Sequence, residues 1–147
     1  MTTDSAPARR FVFRSVRGPA ALSFTIEPGQ ILTVGRGGAG WAVDVAIPSV
    51  AVSRQHIRVK SDGAVCSIQE LRTRGGVPIL RAADKAKLSP EQLAEAVSGF
   101  RAWPWQPLPP EAWQPLAEGD LVALPGWCFE VACLPDESLA AEPGGQR

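Results

Sequence analysis

The chain has 147 residues, 45% of them hydrophobic and 20% charged, with fifteen basic and fifteen acidic side chains. That balance suits one globular domain with loose ends and argues against a mainly disordered chain. No apolar run is long enough for a membrane-spanning helix, residues 1–10 lack the apolar core of a secretion signal, and one His with no Tyr offers little acid–base chemistry.

In chain order, residues 1–10 read as a disordered polar tail. Residues 11–16 alternate, placing Phe11 and Phe13 on one face, and 22–26 alternate strictly through Leu22, Phe24 and Ile26. Glu27-Pro-Gly-Gln30 is a turn, because Pro presets its backbone angle before a permissive Gly. Residues 31–34 form a strand that ends at Gly35-Arg-Gly-Gly38, and further strands are expected at 43–47, 57–59, 64–71, 120–124 and 128–134. Many short β-rich segments spaced by Gly and Pro indicate an all-β sandwich.

Residues 80–116 break this rhythm and read as an insertion without strand pattern, far longer than a hairpin loop. Within it Ser89-Pro-Glu-Gln92 is a helix start, with Ser as cap, Pro at the first helical position and Gln completing a capping box. A helix over 90–98 follows, with Leu93, Val97 and Phe100 on one face. Beyond it lies a Trp/Pro-rich stretch carrying Trp103, Trp105 and Trp113, whose indoles require cover or a partner. Two readings stand: a lid over part of the sandwich, or a docking surface. Residues 135–147 read as a second disordered tail, leaving 11–134 as the domain.

Cys66, Cys128 and Cys133 are an odd set without a Cys-x-x-Cys pair, expected to be small buried hydrophobes in strands; neither a metal nor a cofactor is expected. Twelve Arg against three Lys, with 21 Ala, is the bias of a GC-rich bacterial genome, and a cytoplasmic location is expected. Net charge is +2 over residues 1–30, +3 over 31–80 and −5 over 81–147. Without a long basic run, neither a nucleic-acid nor a membrane partner is indicated, but the positive middle suits a compact anion.

The chemistry concentrates in Gly35-Arg36 and Ser53-Arg-Gln-His56, with Asp44 and Ile47 between them. Gly35 permits a sharp turn, Arg36 offers a guanidinium fork, and Ser53 adds a hydroxyl beside Arg54. Two loops converging at one end of a rigid sandwich make an anion cradle without catalytic groups. His56, three residues after Ser53, is placed to lock that loop through both ring nitrogens rather than to act as a base. Taken singly, Arg36 reads as a surface arginine and Ser53 as a turn hydroxyl. Gly35-Arg-Gly-Gly-Ala-Gly40 lacks the Lys-Ser/Thr of a nucleotide phosphate loop, and no long helix follows it.

The order Thr-Val-Gly-Arg36, Val-Asp-Val-Ala-Ile47, Val-Ser-Arg-Gln-His56, Glu-Leu71 and Leu-Ala-Glu-Gly-Asp-Leu-Val122 resembles the forkhead-associated (FHA) family. The resemblance implies an FHA-like (SMAD/FHA) β-sandwich of about eleven strands that binds phosphothreonine peptides and is not an enzyme. It implies that Arg36 and Ser53 contact the phosphate, Arg54 reaches phosphate or peptide, and Thr73 and Arg74 flank the peptide. Gly35, His56 and Gly76 would support the site. The implied partner is a phosphothreonine-containing protein, a Ser/Thr kinase or its substrate, in kinase signalling or secretion-system assembly. The chain departs from the family where it usually reads Ser-x-Asn-Gly-Thr: here Thr73-Arg-Gly-Gly-Val77 puts Gly75 in place of the Asn that grips the peptide backbone. That removes about 1–3 kcal/mol of hydrogen bonding. The alternative is a divergent scaffold that engages partners through the Trp/Pro-rich insertion.

Overall fold

A computed structural model describes residues 9–71, 73, 76–98 and 105–135. Eleven strands form two sheets. The strands are β1 (Arg9–Arg17), β2 (Ser23–Ile26), β3 (Ile31–Gly35), β4 (Val45–Ala46), β5 (Ile57–Ser61), β6 (Cys66–Glu70), β7 (Pro78–Leu80), β8 (Gln106–Pro107), β9 (Gln114–Leu116), β10 (Leu121–Leu124) and β11 (Trp127–Pro135). Helices α1 (Ala82–Lys85) and α2 (Pro90–Ser98) lie between β7 and β8. One sheet runs β2-β1-β11-β10-β7-β8 and the other β4-β3-β5-β6-β9.

Alternation along the strands builds the core between the sheets. Phe11, Phe13, Val122, Leu124, Phe129 and Val131 of the first sheet meet Val34, Ile57, Val59, Cys66 and Ile68 of the second. The antiparallel pairs β3–β5 and β5–β6 fix the register of the second sheet, with Val34 opposite Ile57 and Ile57 opposite Glu70. The ends of β3 and β6 and the starts of β5 and β7 therefore gather at one end of the sandwich.

The insertion is more strand-like than the sequence suggests. β8 contains Pro107 and β9 contains Pro115, and both are edge strands, one on each sheet. Pro is tolerated at an edge because its missing N–H faces no ladder partner, so the same prolines that hide these strands in the sequence suit their positions. The expected helix is present as α2, with a reciprocal capping box: Gln92 N–H donates to Ser89 Oγ (3.1 Å) and Ser89 N–H to Gln92 Oε1 (2.9 Å). Leu93, Ala96 and Val97 pack on a second cluster of Leu80, Trp105, Leu121, Ala123 and Cys128. Trp105 is buried, and its indole N–H donates to the carbonyl of Ala96 at 2.8 Å. This part of the insertion thus covers the outer face of the first sheet. Trp113 is half-buried, with the Lys60 ammonium 4.3 Å from its ring centroid. Phe100 and Trp103 lie outside the described residues, as do both expected tails except for Arg9, Arg10 and Pro135, which extend β1 and β11.

Helix α1, absent from the sequence reading, owes its start to a residue far along the chain. Asp120, 1% exposed, accepts from Ala82 N–H (2.7 Å) and Ala117 N–H (2.8 Å) and pairs with Arg81 (2.9 Å). The Leu-x-x-Gly-Asp turn before β10 is therefore also the clamp that ties the insertion to the sandwich. Cys66 and Cys128 are core residues whose burial pushes each thiol up to about 12. Among the described residues no helix is long and apolar enough to cross a membrane, and no group of His, Cys, Asp or Glu could hold a metal ion.

Candidate functional site

Two connections meet at the gathered end of the sandwich. Just past β3, outside the β3–β5 register, Arg36 N–H donates to Ser53 carbonyl and Gly37 N–H to Arg54 carbonyl, both at 2.9 Å. This crossing requires a glycine. A Cβ at Gly35 would lie 2.4 Å from the Arg54 carbonyl oxygen and 2.8 Å from that of Ser53. The sequence reading takes Gly35 as a turn former, whereas the structure uses it for close backbone approach.

Asp44 and Ile47 hold the intervening loop to β3. Thr33 N–H donates to Asp44 Oδ2 (2.7 Å), Asp44 N–H returns a bond to Thr33 carbonyl (2.8 Å), and Ile47 N–H donates to Gly35 carbonyl (2.8 Å). The buried Ile47 side chain anchors this loop in the core.

Arg36 is half-buried, and its Nε donates to the Val52 carbonyl at 3.1 Å. That bond orients the guanidinium while leaving its two terminal nitrogens without a partner among the described residues. Ser53 is also half-buried, and its hydroxyl makes no hydrogen bond with the described residues. A guanidinium fork and a hydroxyl are thus presented by two loops whose backbones are directly bonded.

His56 is buried, and its Nδ1 accepts from Ser53 N–H at 2.9 Å, so the ring proton sits on Nε2. Only one of the two expected nitrogen bonds forms: Nε2 is buried without a hydrogen-bond partner among the described residues. Burial lowers the imidazole to about 4 against an opposing pull from the Glu70 carboxylate. The unfolded chain therefore binds this proton more readily than the folded one. The corresponding stability is complete above pH ~6.5 and is lost as pH falls toward about 4, up to about 3 kcal/mol. Urea unfolding between pH 7 and 4 checks this: His56→Asn, which keeps an acceptor for Ser53 N–H but cannot titrate, is expected to flatten the acid slope.

Thr73 lies in the β6–β7 connection, where its N–H and its hydroxyl (2.7 Å) both donate to Glu70 Oε2. Its hydroxyl proton is thus directed to Glu70, where the sequence reading has Thr73 flanking a peptide. Gly76 adopts φ +74°, the left-handed region that favours glycine, with open space around it. Arg74 and Gly75 lie outside the described residues. Arg54 is exposed, and its guanidinium stands 5.8 Å from the centroid of the Trp41 ring. Sequence reasoning missed Trp41 as a companion of the site. The available signal was a lone Trp in a Gly-rich loop two positions from the resemblance motif containing Asp44.

No family model and no curated protein sequence matches the chain. Among solved structures, the FHA domain of an Arabidopsis thaliana hypothetical protein aligns with TM-score 0.53 and 25% identity over 92% of this chain and 94% of its own. The FHA domain of human APLF, in complex with an XRCC1 bisphospho peptide, aligns with TM-score 0.55 and 18% identity over 83% and 96%. The fold is that of an FHA domain. A further FHA structure, from work on phosphothreonine-dependent FHA domain interactions, aligns with TM-score 0.55 and 18% identity over 84% of this chain and 95% of its own. In this FHA fold the β3–β4 and β4–β5 connections carry Arg36 and Ser53, and β6–β7 carries Thr73.

Proposed function

We propose that the chain is a phosphothreonine-binding protein–protein interaction module rather than an enzyme, acting in Ser/Thr kinase signalling or secretion-system assembly. The observation that supports this is the Arg36–Ser53 backbone bond, which ties the loop bearing the anchored Arg36 guanidinium to the loop bearing Ser53, whose hydroxyl makes no hydrogen bond with the described residues. A phosphothreonine dianion brings three strong acceptor oxygens, matching a fork plus a hydroxyl better than a planar carboxylate does. The FHA domain with a bisphospho peptide and the phosphothreonine-dependent FHA interactions add support by likeness. Arg54 and Arg74 would add charge beside the phosphate, with Gly35 and His56 supporting the cradle and Gly76 its neighbouring turn. Docking through the insertion draws less support, since the Trp105 indole is spent in the second apolar cluster.

The test is calorimetric titration with matched threonine and phosphothreonine peptide libraries. Binding confined to the phosphorylated set is expected, weakening as salt rises and as the phosphate protonates below its second pKa near ~6. Equal binding of both sets, or of neither, would refute the proposal.

A further inference from the structure

We infer that Cys66 and Cys133 are a redox-active thiol pair, which hydrogen peroxide oxidises to a disulfide joining the two sheets at the end of the sandwich opposite the cradle. All three cysteines are free. Cys66 starts β6 in the second sheet, Cys133 lies near the end of β11 in the first, and both pack into the core cluster between the sheets. Cys128 belongs instead to the cluster beneath α2 and Trp105.

Backbone connections on both flanks set β11 over β6 at that end. On one flank Arg9, at the start of β1 beside β11, donates its N–H to the carbonyl of Gly63 in the β5–β6 turn at 2.9 Å. On the other, residues 117–120 lead from β9, the neighbour of β6, to β10, the neighbour of β11. Cys66 is level with Leu116 at the end of β9, and Cys133 sits two residues before Pro135, the partner of Arg9. The two sheets are thus tied together where both thiols face inward. Sandwich geometry accommodates such a bridge, as the inter-sheet disulfide of antibody domains shows.

The surroundings of the two sulfurs divide their roles. Cys133 is half-buried, with the Arg9 guanidinium donating to its Sγ at 3.9 Å, so it is the sulfur that a dissolved oxidant meets. Cys66 is fully buried, and burial, with the nearby Cys133 adding to it, pushes its thiol up to about 12. Alone, such a thiol is inert. The Cys133 thiolate attacks one peroxide oxygen: an S–O bond forms, the O–O bond breaks, and the departing hydroxide takes a proton from solvent. Cys66 sulfur then attacks the sulfenic acid: the S–S bond forms, the S–O bond breaks, and the second hydroxide leaves as water with the Cys66 proton. Two electrons pass from the sulfurs to one peroxide, which becomes two waters.

The experiment treats the reduced, folded full chain with hydrogen peroxide at neutral pH, alkylates the remaining thiols in urea, and maps the peptides by mass spectrometry. The monomer is expected to lose the mass of two hydrogens and the alkylation of Cys66 and Cys133 together. A linked Cys66–Cys133 peptide that dithiothreitol cleaves should appear, with Cys128 still reduced. Cys133→Ser is expected to leave Cys66 a free thiol, and Cys66→Ala to carry Cys133 past the sulfenic acid to the sulfinic acid. Cys66 remaining free once Cys133 is oxidised, a link through Cys128, a link only between two chains, or no oxidation of any cysteine would overturn the inference. The wild-type map alone separates these outcomes, so a cysteine variant that fails to fold does not weaken the test.

Discussion

Arg36→Glu is expected to raise the dissociation constant for a phosphothreonine peptide by ~100-fold or more, equivalent to about 3 kcal/mol, with little change in folding. On the proposed reading, the reversal removes the N–H donors of both terminal guanidinium nitrogens and puts a like charge beside the phosphate. The folded state loses one hydrogen bond, from Arg36 Nε to Val52 carbonyl, worth about 1 kcal/mol. Arg36→Lys separates charge from geometry. It keeps the positive charge but loses both the fork and the Nε anchor, so ~10-fold weaker binding is expected. Calorimetry for affinity and thermal melting for stability, on the same protein batches, check the pair. Arg36→Glu binding the peptide as wild type does would refute the assignment. Because His56 and the phosphate both titrate below neutral pH, these titrations belong at pH 7 or above, where neither contributes.

The legible part of the fold follows from local chemistry. Alternation in 11–16, 22–26 and 57–59 needs only one dry face and one wet face, and the Ser89–Gln92 capping box closes within four residues. What escaped depends on distant partners. The start of α1 is set by Asp120, thirty-eight residues away, and β8 and β9 are edge strands whose prolines look like strand breakers. One signal was readable: all four residues of Leu121–Leu124 are apolar, and a strand without alternation is covered on both faces. Its outward residues Leu121 and Ala123 are those that Trp105 and α2 cover.

At the site, spacing announces residue types but not which bonds they spend. The loops carrying Arg36 and Ser53 come together because the backbone just past β3 bonds to the backbone of the loop before β5, outside the strand register, and residue spacing does not announce such a crossing. Thr73 looks equally available in sequence, yet its hydroxyl proton is committed to the buried Glu70. The burial of Glu70 follows from its place on the inward face of β6, two residues beyond Ile68 and four beyond Cys66. The Trp41–Arg54 contact spans two loops and likewise has no local signature.

Gly35→Ala tests the crossing itself, and a loss of about 3 kcal/mol is expected from one added methyl group. Its Cβ would press on the backbone carbonyls of Ser53 and Arg54, which cannot swing away as a flexible side chain does. Relief requires separating the two connections, at the cost of the Arg36–Ser53 and Gly37–Arg54 bonds, in addition to overpacking worth about 1–3 kcal/mol. At a few degrees per kcal/mol, the melting temperature should fall by ~10 °C. The same separation pulls Ser53 from Arg36, so phosphopeptide affinity should fall at least tenfold even at temperatures where the protein stays folded. Val59→Ala provides the comparison. It truncates a fully buried β5 side chain at a similar cost in stability but leaves the crossing intact, so its affinity is expected to match wild type. Equal affinities for the two variants would show that close approach at Gly35 serves stability alone and that the cradle does not depend on it.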